Sequence, residues 1–158
     1  MKLLKVIGFI VACEILGSLG SFFTAPAIKT GWYQTLIKSS LNPPNWVFAP
    51  AWTILFALMG IAAFLIYEKG PKKKKVQIAL KVFLAQFVFN IAWSFLFFGA
   101  KLPRVAFGEI IILWLLILAT LVRFYRISKA AGIILLPYLL WVSFASYLNW
   151  SVVVLNHF

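Results

Sequence analysis

The stretch PRVAFGEIIILWLLILATLVRFY, residues 103–125, decides the fold of this chain. Apart from Glu109 and one arginine near each end, it is an almost unbroken run of apolar residues. A helix needs roughly 20 such residues to cross about 30 Å of hydrocarbon. The strands of a membrane β-barrel are shorter and alternate apolar with polar residues. The stretch therefore predicts a transmembrane helix.

Four further runs of this kind appear when charged residues and Gly/Pro clusters are taken as separators. Together with the first, they predict spans near residues 4–24, 46–67, 78–98, 103–125 and 130–155. The composition agrees, since 64% of the 158 residues are hydrophobic and only 11% are charged. A soluble domain cannot bury so much apolar surface. We expect an all-α integral membrane bundle of five transmembrane helices, with residues 1–158 forming a single domain.

The first run has a second interpretation, as a cleavable signal peptide. Lys2 and Lys5 precede it, and Ala25-Pro26-Ala27 is similar to a cleavage site. The run is longer than a usual signal core and contains Glu14. We therefore expect it to be a helix of the mature protein.

The basic residues are divided unequally between the two sides of the predicted bundle. Ten lie in the N-terminal segment and the second and fourth loops, four lie on the opposite side, and Lys81 is at the base of the third span. The positive-inside rule then places the N-terminus in the cytoplasm and the C-terminus outside, in a multi-pass protein of the cell membrane.

Several function classes find little support in the residues. The net charge of +12 comes from helix ends and not from a soluble basic face, which argues against nucleic-acid binding. Cys13 is alone, so neither a disulfide framework nor a cysteine metal site is expected. The sole histidine is His157, and the only acids are Glu14, Glu68 and Glu109. We expect no metal site and no required cofactor.

Aromatic and amide residues share one face on each of three predicted helices. These faces are Trp52, Phe56 and Met59; Gln86, Asn90, Trp93 and Phe97; and Tyr138, Trp141, Ala145 and Asn149. At 1.5 Å of rise per residue, they converge roughly 8–15 Å below the outer helix ends. Aromatic walls with few polar groups suit a flat, apolar ligand. We expect the first outer loop, residues 29–45 with Trp32 and Tyr33, to lie over this chamber as a lid.

The same residues also have a purely structural interpretation. Trp and Tyr collect at membrane interfaces whatever the function, and Trp46 and Trp150 fit such a belt. An asparagine inside the membrane can simply hydrogen-bond two helices together. Composition and spacing alone leave both interpretations open.

Three separated motifs resemble one known family. NPPNWVFAPAW at residues 42–52, followed by Leu58-Met59-Gly60, is similar to a motif of the tryptophan-rich sensory protein or translocator protein family, also called the peripheral-type benzodiazepine receptor family. NIAWSFLFF at residues 90–98 also resembles the family. So does a set in the last span, namely Pro137-Tyr138, Trp141, Phe144-Ala145 and Leu148-Asn149.

The resemblance implies a five-helix bundle, usually a homodimer, that binds porphyrins, sterol-like lipids and aromatic drug-like molecules beneath the first loop. The ligand-binding residues it implies are Trp52, Asn90, Trp93, Trp141, Phe144, Ala145 and Leu148, with Trp32 and Tyr33 from the loop; Phe56 joins them by helical spacing. The aromatic-then-basic pattern linked to sterol binding is missing after Asn149.

Family members are also linked to light-dependent porphyrin breakdown. For this activity the resemblance leads us to expect Trp52 and Trp141 as the catalytic residues, acting on porphyrin as ligand or substrate. A metal-free porphyrin is favoured over haem, because no histidine lies inside the predicted bundle.

Glu14 supports a different hypothesis. A carboxylate inside a membrane helix is costly and marks a functional site by default. Small multidrug transporters use such a residue to exchange protons for aromatic cations. The alternative function is therefore a proton-coupled transporter, while the structural interpretation is that Glu14 pairs with Asn90 or Gln86.

Overall fold

The computed structural model describes residues 2–158, except for the side chain of Thr30. Within this range the chain is helical and contains no strand. The helices are α1 (Lys2–Thr30), α2 (Trp32–Thr35), α3 (Phe48–Tyr67), α4 (Lys74–Ser94), α5 (Pro103–Ile127), α6 (Lys129–Ile134) and α7 (Leu136–Leu155).

Five helical stretches are long and apolar enough to cross a membrane: residues 2–29, 45–67, 74–99, 103–127 and 129–155. The all-α bundle of five transmembrane helices is thus confirmed. The largest difference from the predicted spans is at α1, which continues to Thr30. Hydropathy marks only the part of a helix that lies in hydrocarbon, and the helix itself can extend beyond it.

Two of the spans depart from a regular α-helix. The last span is interrupted at Leu135, between α6 and α7. Pro137 follows the interruption and has no N–H to donate to the carbonyl of Ile133. The third span ends in a π-helical turn, Phe95–Gly99, in which the Ala100 N–H donates to the Phe95 carbonyl at 2.7 Å.

The five spans pack as a ring in the order α1, α3, α6 with α7, α5, α4 and back to α1. We call the end that carries the N-terminus and the loop after α3 the basic end. The opposite end, which carries residues 31–44 and the C-terminus, is the lid end. A dimer of such bundles stays a prediction.

The basic-end half of the ring is filled by side chains. Met59, Ile66, Ile117 and Phe124 are completely enclosed, and the ring of Phe124 stacks on Phe83 with centroids 5.7 Å apart. This half of the bundle is therefore a packed apolar core.

Helix α1 changes neighbour as it crosses the bundle. Near the basic end it touches α3, where a Cβ built on Gly60 would lie 2.6 Å from the Ile10 Cα. Near the lid end it instead lies against the end of α4, where the rings of Phe23 and Phe95 are 5.2 Å apart. A Cβ on Gly20 would be 3.0 Å from the Ser94 Oγ there. Helices α1 and α3 therefore separate toward the lid end, and a space opens between them.

Candidate functional site

A cavity of about 410 Å³ occupies the lid-end half of the bundle, between α1, α3, α4 and α7. Its volume is in the range of small-molecule sites. Six aromatic residues form the walls opposite α1, namely Phe48, Trp52, Phe56, Trp93, Phe98 and Trp141. The cavity is the natural candidate for a ligand site.

The structure places the predicted ligand-binding residues in three positions. The large cavity is lined by Trp52, Phe56, Asn90, Trp93, Trp141 and Ala145. Tyr33 and Leu148 line a smaller cavity of about 30 Å³, which shares Trp93 and Ala145 with the large one. Trp32 and Phe144 line neither cavity. The Trp32 ring packs on Phe97 and Phe158. The Phe144 ring meets the Trp141 ring with centroids 6.1 Å apart.

Trp52 and Trp141 form the centre of the aromatic wall. Their rings meet edge to face with centroids 6.5 Å apart. Trp52 also stacks on Phe56 at 5.4 Å, and Trp141 meets Phe48 at 6.2 Å. Among the described residues, neither indole N–H has a hydrogen-bond partner, whereas the N–H groups of Trp93 and Trp114 are both bonded. Two indole donors are thus left free beside the cavity.

A buried hydrogen-bond chain supports this wall from behind. The Asn90 side-chain amide donates to the Tyr138 hydroxyl at 3.1 Å. That hydroxyl in turn donates to the Gln86 amide oxygen at 2.7 Å. The rings of Tyr138 and Trp52 meet edge to face with centroids 6.3 Å apart. Because the Tyr138 hydroxyl both accepts and donates, it holds Asn90 and Gln86 of α4 in a fixed position against α7.

Trp93 is held by a second hydrogen-bond chain. Its indole N–H donates to the Asn149 side-chain oxygen at 3.0 Å, and the Asn149 amide donates to the Pro103 carbonyl at 2.8 Å. Asn149 therefore ties together α4, α5 and α7 and does not line the large cavity.

Helix α1 supplies a fourth wall that was not predicted as part of the site. Most of its cavity-lining residues are small or polar. They are Glu14, Gly17, Ser18, Gly20, Ser21, Thr24, Ala25, Ile28 and Lys29. Most recur every three or four positions, which is the spacing of one helical face. The signal was present in the sequence, but small residues at this spacing equally indicate close helix packing.

The cavity is open on the side where α1 and α3 separate. The residues that border this opening are exposed, with Ser21 and Ala25 on α1 and Ala49 and Thr53 on α3. The cavity therefore opens sideways, between two membrane-spanning helices.

Two carboxyl groups lie within the spans. Glu14 lines the cavity and, among the described residues, has no hydrogen bond or ion pair. The predicted pairing with Asn90 or Gln86 is wrong, because both amides bond to Tyr138. Glu109 on α5 does not line the cavity; both of its oxygens are buried and have no partner in the described part of the chain.

The segment between α1 and α3 packs over the lid end. Tyr33 is buried against the rings of Phe97 and Phe98, and its hydroxyl donates to the Asn42 side-chain oxygen at 3.0 Å. Burial raises the pKa of Tyr33, and the hydrogen bond to Asn42 partly opposes this. The pKa of Lys38 is lowered by burial. The segment is therefore a packed cover and not a loose loop.

The C-terminal end of α7 fastens this cover. The Asn156 side chain accepts from the Ile37 N–H and donates to the Ile37 carbonyl, each at 2.9 Å. The Ser39 and Tyr147 hydroxyls are 3.1 Å apart. These contacts join residues more than 100 positions apart, so the cover and the last helix form one unit.

The donor groups of the cavity are poorly suited to a metal. Its described lining contains no histidine, cysteine or methionine. No group of three His, Cys, Asp or Glu residues that could hold a metal ion occurs in residues 2–158. Its polar groups are amides, hydroxyls, indole N–H groups, one carboxyl group and one ammonium group.

Fold and cavity together define a multi-pass helical membrane protein with an aromatic, ligand-sized cavity in one half of its bundle. The chain belongs to the TspO/MBR family, whose family model matches residues 9–155. It is 41% identical to the tryptophan-rich protein TspO of Archaeoglobus fulgidus over 157 residues, 99% of each chain. It is 44% identical to the protein of the same name from Chlorobaculum tepidum over 144 residues, 91% of this chain and 90% of that one. The translocator protein of Sus scrofa is 33% identical over 153 residues, 94% of this chain and 88% of its own.

Proposed function

We propose that this protein binds flat, largely apolar ligands of the porphyrin type in the large cavity and promotes their light-dependent breakdown. The observation that carries the proposal is the pair of edge-to-face indoles, Trp52 and Trp141, with free N–H groups beside a cavity of about 410 Å³. Aromatic walls match the faces of a macrocycle, and the free donors offer it hydrogen bonds. Family membership is consistent with this ligand class.

The cavity lining favours a metal-free porphyrin. Haem needs an axial ligand, which proteins supply from His, Cys, Met or Tyr. None of these lines the large cavity among the described residues. Cys13 and Met59 are buried elsewhere, and His157 is exposed at the C-terminus.

The proposed reaction needs light and molecular oxygen but no acid–base pair. An excited porphyrin passes its energy to O₂, which adds across one C=C bond of the macrocycle. That bond then breaks, each of its carbons keeps one oxygen as a carbonyl, and no further oxidant or reductant is consumed. Trp52 and Trp141 contact the macrocycle and hold it in place while oxygen enters.

Illumination of the protein with bound protoporphyrin IX tests this function. We expect the main absorption band to disappear in the light but not in the dark, with a product heavier by one O₂. The double variant Trp52→Phe/Trp141→Phe should slow this loss by at least about tenfold, equivalent to about 1.4 kcal/mol. Trp150→Phe, which replaces an exposed indole outside the cavity, is the matched control. Equal bleaching of free porphyrin would show that the protein does not promote the reaction.

We also propose that the lid end faces outward. Ten of the basic residues belong to the opposite end, in agreement with the positive-inside rule. The cavity then lies in the outer half of the membrane, with the N-terminus in the cytoplasm.

Glu14 favours a second candidate function, proton-coupled transport of aromatic cations. Its carboxyl group lines an aromatic cavity and has no partner among the described residues. In liposomes with a pH gradient, uptake of a fluorescent aromatic cation should occur with the wild type and fall to background in Glu14→Gln. The control Glu68→Gln removes a carboxylate at the basic end, where Glu68 pairs with Lys2 at 3.5 Å. Uptake that is equal in Glu14→Gln and the wild type would exclude this function.

A further inference from the structure

Two charged side chains line the large cavity among the described residues, and they lie at opposite ends of it. Both belong to α1: Glu14 is at the inner end and Lys29 is in the last turn. Residues this far apart in sequence are separated by about 22 Å along a helix axis. The aromatic wall lies between them, so the cavity has a negative inner end and a positive mouth.

Among the described residues, Lys29 is the basic residue that lines the large cavity. In the described structure its ammonium group makes no hydrogen bond or ion pair. Lys38, the other lysine nearby, donates to the carbonyls of Tyr33 at 2.7 Å and Leu36 at 2.9 Å. Lys101 lies at the same end of the bundle but outside the cavity.

The charge of Lys29 decides the electrostatic character of the mouth. Helix α1 ends there, and the carbonyl end of a helix carries partial negative charge. The Gln34 side-chain amide, which is neutral, donates to the carbonyls of Ile28 and Lys29 at 2.8 and 3.3 Å. Without Lys29 the mouth would repel a carboxylate. With it, the mouth presents an exposed ammonium group that can pair with one.

The inner end has the opposite preference. Glu14 lies one helical turn from Gly17, where a Cβ would meet the Phe56 ring. A ligand carboxylate placed there would face both a second carboxylate and an apolar ring. Burying like charges together is strongly unfavourable.

We infer that Lys29 and Glu14 orient carboxylate-bearing flat ligands, with the carboxylates at the mouth beside Lys29 and the apolar edge of the ring toward Phe56. Lys29 is thus a specificity-determining residue: it selects ligands that carry acid groups on one edge. The inference rests on the proposed function for its choice of porphyrins as the ligand class.

Two porphyrins with the same macrocycle, one of which has its carboxylates converted to methyl esters, test this orientation. Protoporphyrin IX has two carboxylates on one edge, and its dimethyl ester has the same ring without them. Each is titrated into the detergent-solubilised protein, and binding is followed by quenching of tryptophan fluorescence. The quantity compared is the ratio of the two dissociation constants, which is insensitive to the fraction of folded protein because both ligands bind the same population.

We expect the wild type to prefer the diacid. Lys29→Met should reduce this preference about five- to tenfold, the range for a partly exposed charged hydrogen bond. Lys29→Glu should reduce it further. Lys101→Met removes the same charge from the same end of the bundle but outside the cavity, so it should leave the ratio unchanged.

Three results would overturn the inference. If the ratio of dissociation constants is unchanged in Lys29→Met, Lys29 does not select the diacid, even though porphyrins still bind. An equal change in Lys101→Met would show that the preference arises from general surface charge and not from a charge in the cavity. Absence of quenching by both porphyrins in the wild type overturns the proposed function, and the inference with it.

Discussion

Ala145→Phe is expected to abolish measurable porphyrin binding, with a loss of affinity of at least about 100-fold, or about 2.7 kcal/mol. Ala145 lines both the large and the small cavity. A phenylalanine there extends into the space between α4 and α7 that the ligand is proposed to occupy. Its ring has empty volume to enter, so the bundle itself should remain folded.

Fluorescence quenching by protoporphyrin IX measures this loss, and Ala12→Phe provides the matched control. Ala12 is exposed on α1 and does not line the cavity. The same increase in side-chain size should therefore leave binding unchanged there. If Ala145→Phe binds porphyrin as the wild type does, the ligand does not occupy this cavity.

Gly60→Ala is expected to destabilise the fold by about 2–3 kcal/mol, the upper range for overpacking a close contact. A Cβ at this position would lie 2.6 Å from the Ile10 Cα, 2.8 Å from the Ile10 nitrogen and 2.9 Å from the Phe9 carbonyl oxygen. All three atoms are backbone, so no side-chain rotation can relieve the clash. Helix α1 must move away from α3.

Thermal unfolding in detergent, followed by circular dichroism, measures this effect. Gly8→Ala is the control, because a Cβ on Gly8 meets no atom within 4 Å. Alanine is a better helix former than glycine by up to about 1 kcal/mol, so Gly8→Ala should unfold at the same temperature or higher. Equal melting temperatures for Gly60→Ala and the wild type would contradict the close contact between the two helices.

The five spans could be predicted from the sequence because lipid imposes a simple length rule. A run such as residues 103–125 is too long and too apolar to be anything but a spanning helix. The change of neighbour along α1 could not be predicted in this way. It depends on where Gly60 and Gly20 permit close approach, and hydropathy carries no information about the partner of a glycine.

Three walls of the candidate site could be predicted from helical faces. Aromatic and amide residues recur on one face of each of three helices, and these faces lie at similar depths in the membrane. The fourth wall was missed because Gly17, Ser18 and Ser21 give the same pattern whether they pack against a helix or border a cavity. The proposed partners of Glu14 were wrong for a related reason. Tyr138, whose hydroxyl bonds both Asn90 and Gln86, could be recognised as their partner only once α4 and α7 were seen side by side.

The lateral opening between α1 and α3 makes the bilayer itself the reservoir from which the cavity is filled. The transfer of an apolar molecule from water into lipid is favourable by about 0.8 kcal/mol for each buried CH₂ group. For the proposed ligands, the concentration that matters at the site is therefore the concentration in the membrane, and not the concentration in water. Apparent affinities expressed per volume of buffer should weaken in proportion as lipid is added, whereas affinities expressed as mole fraction in the bilayer should stay constant.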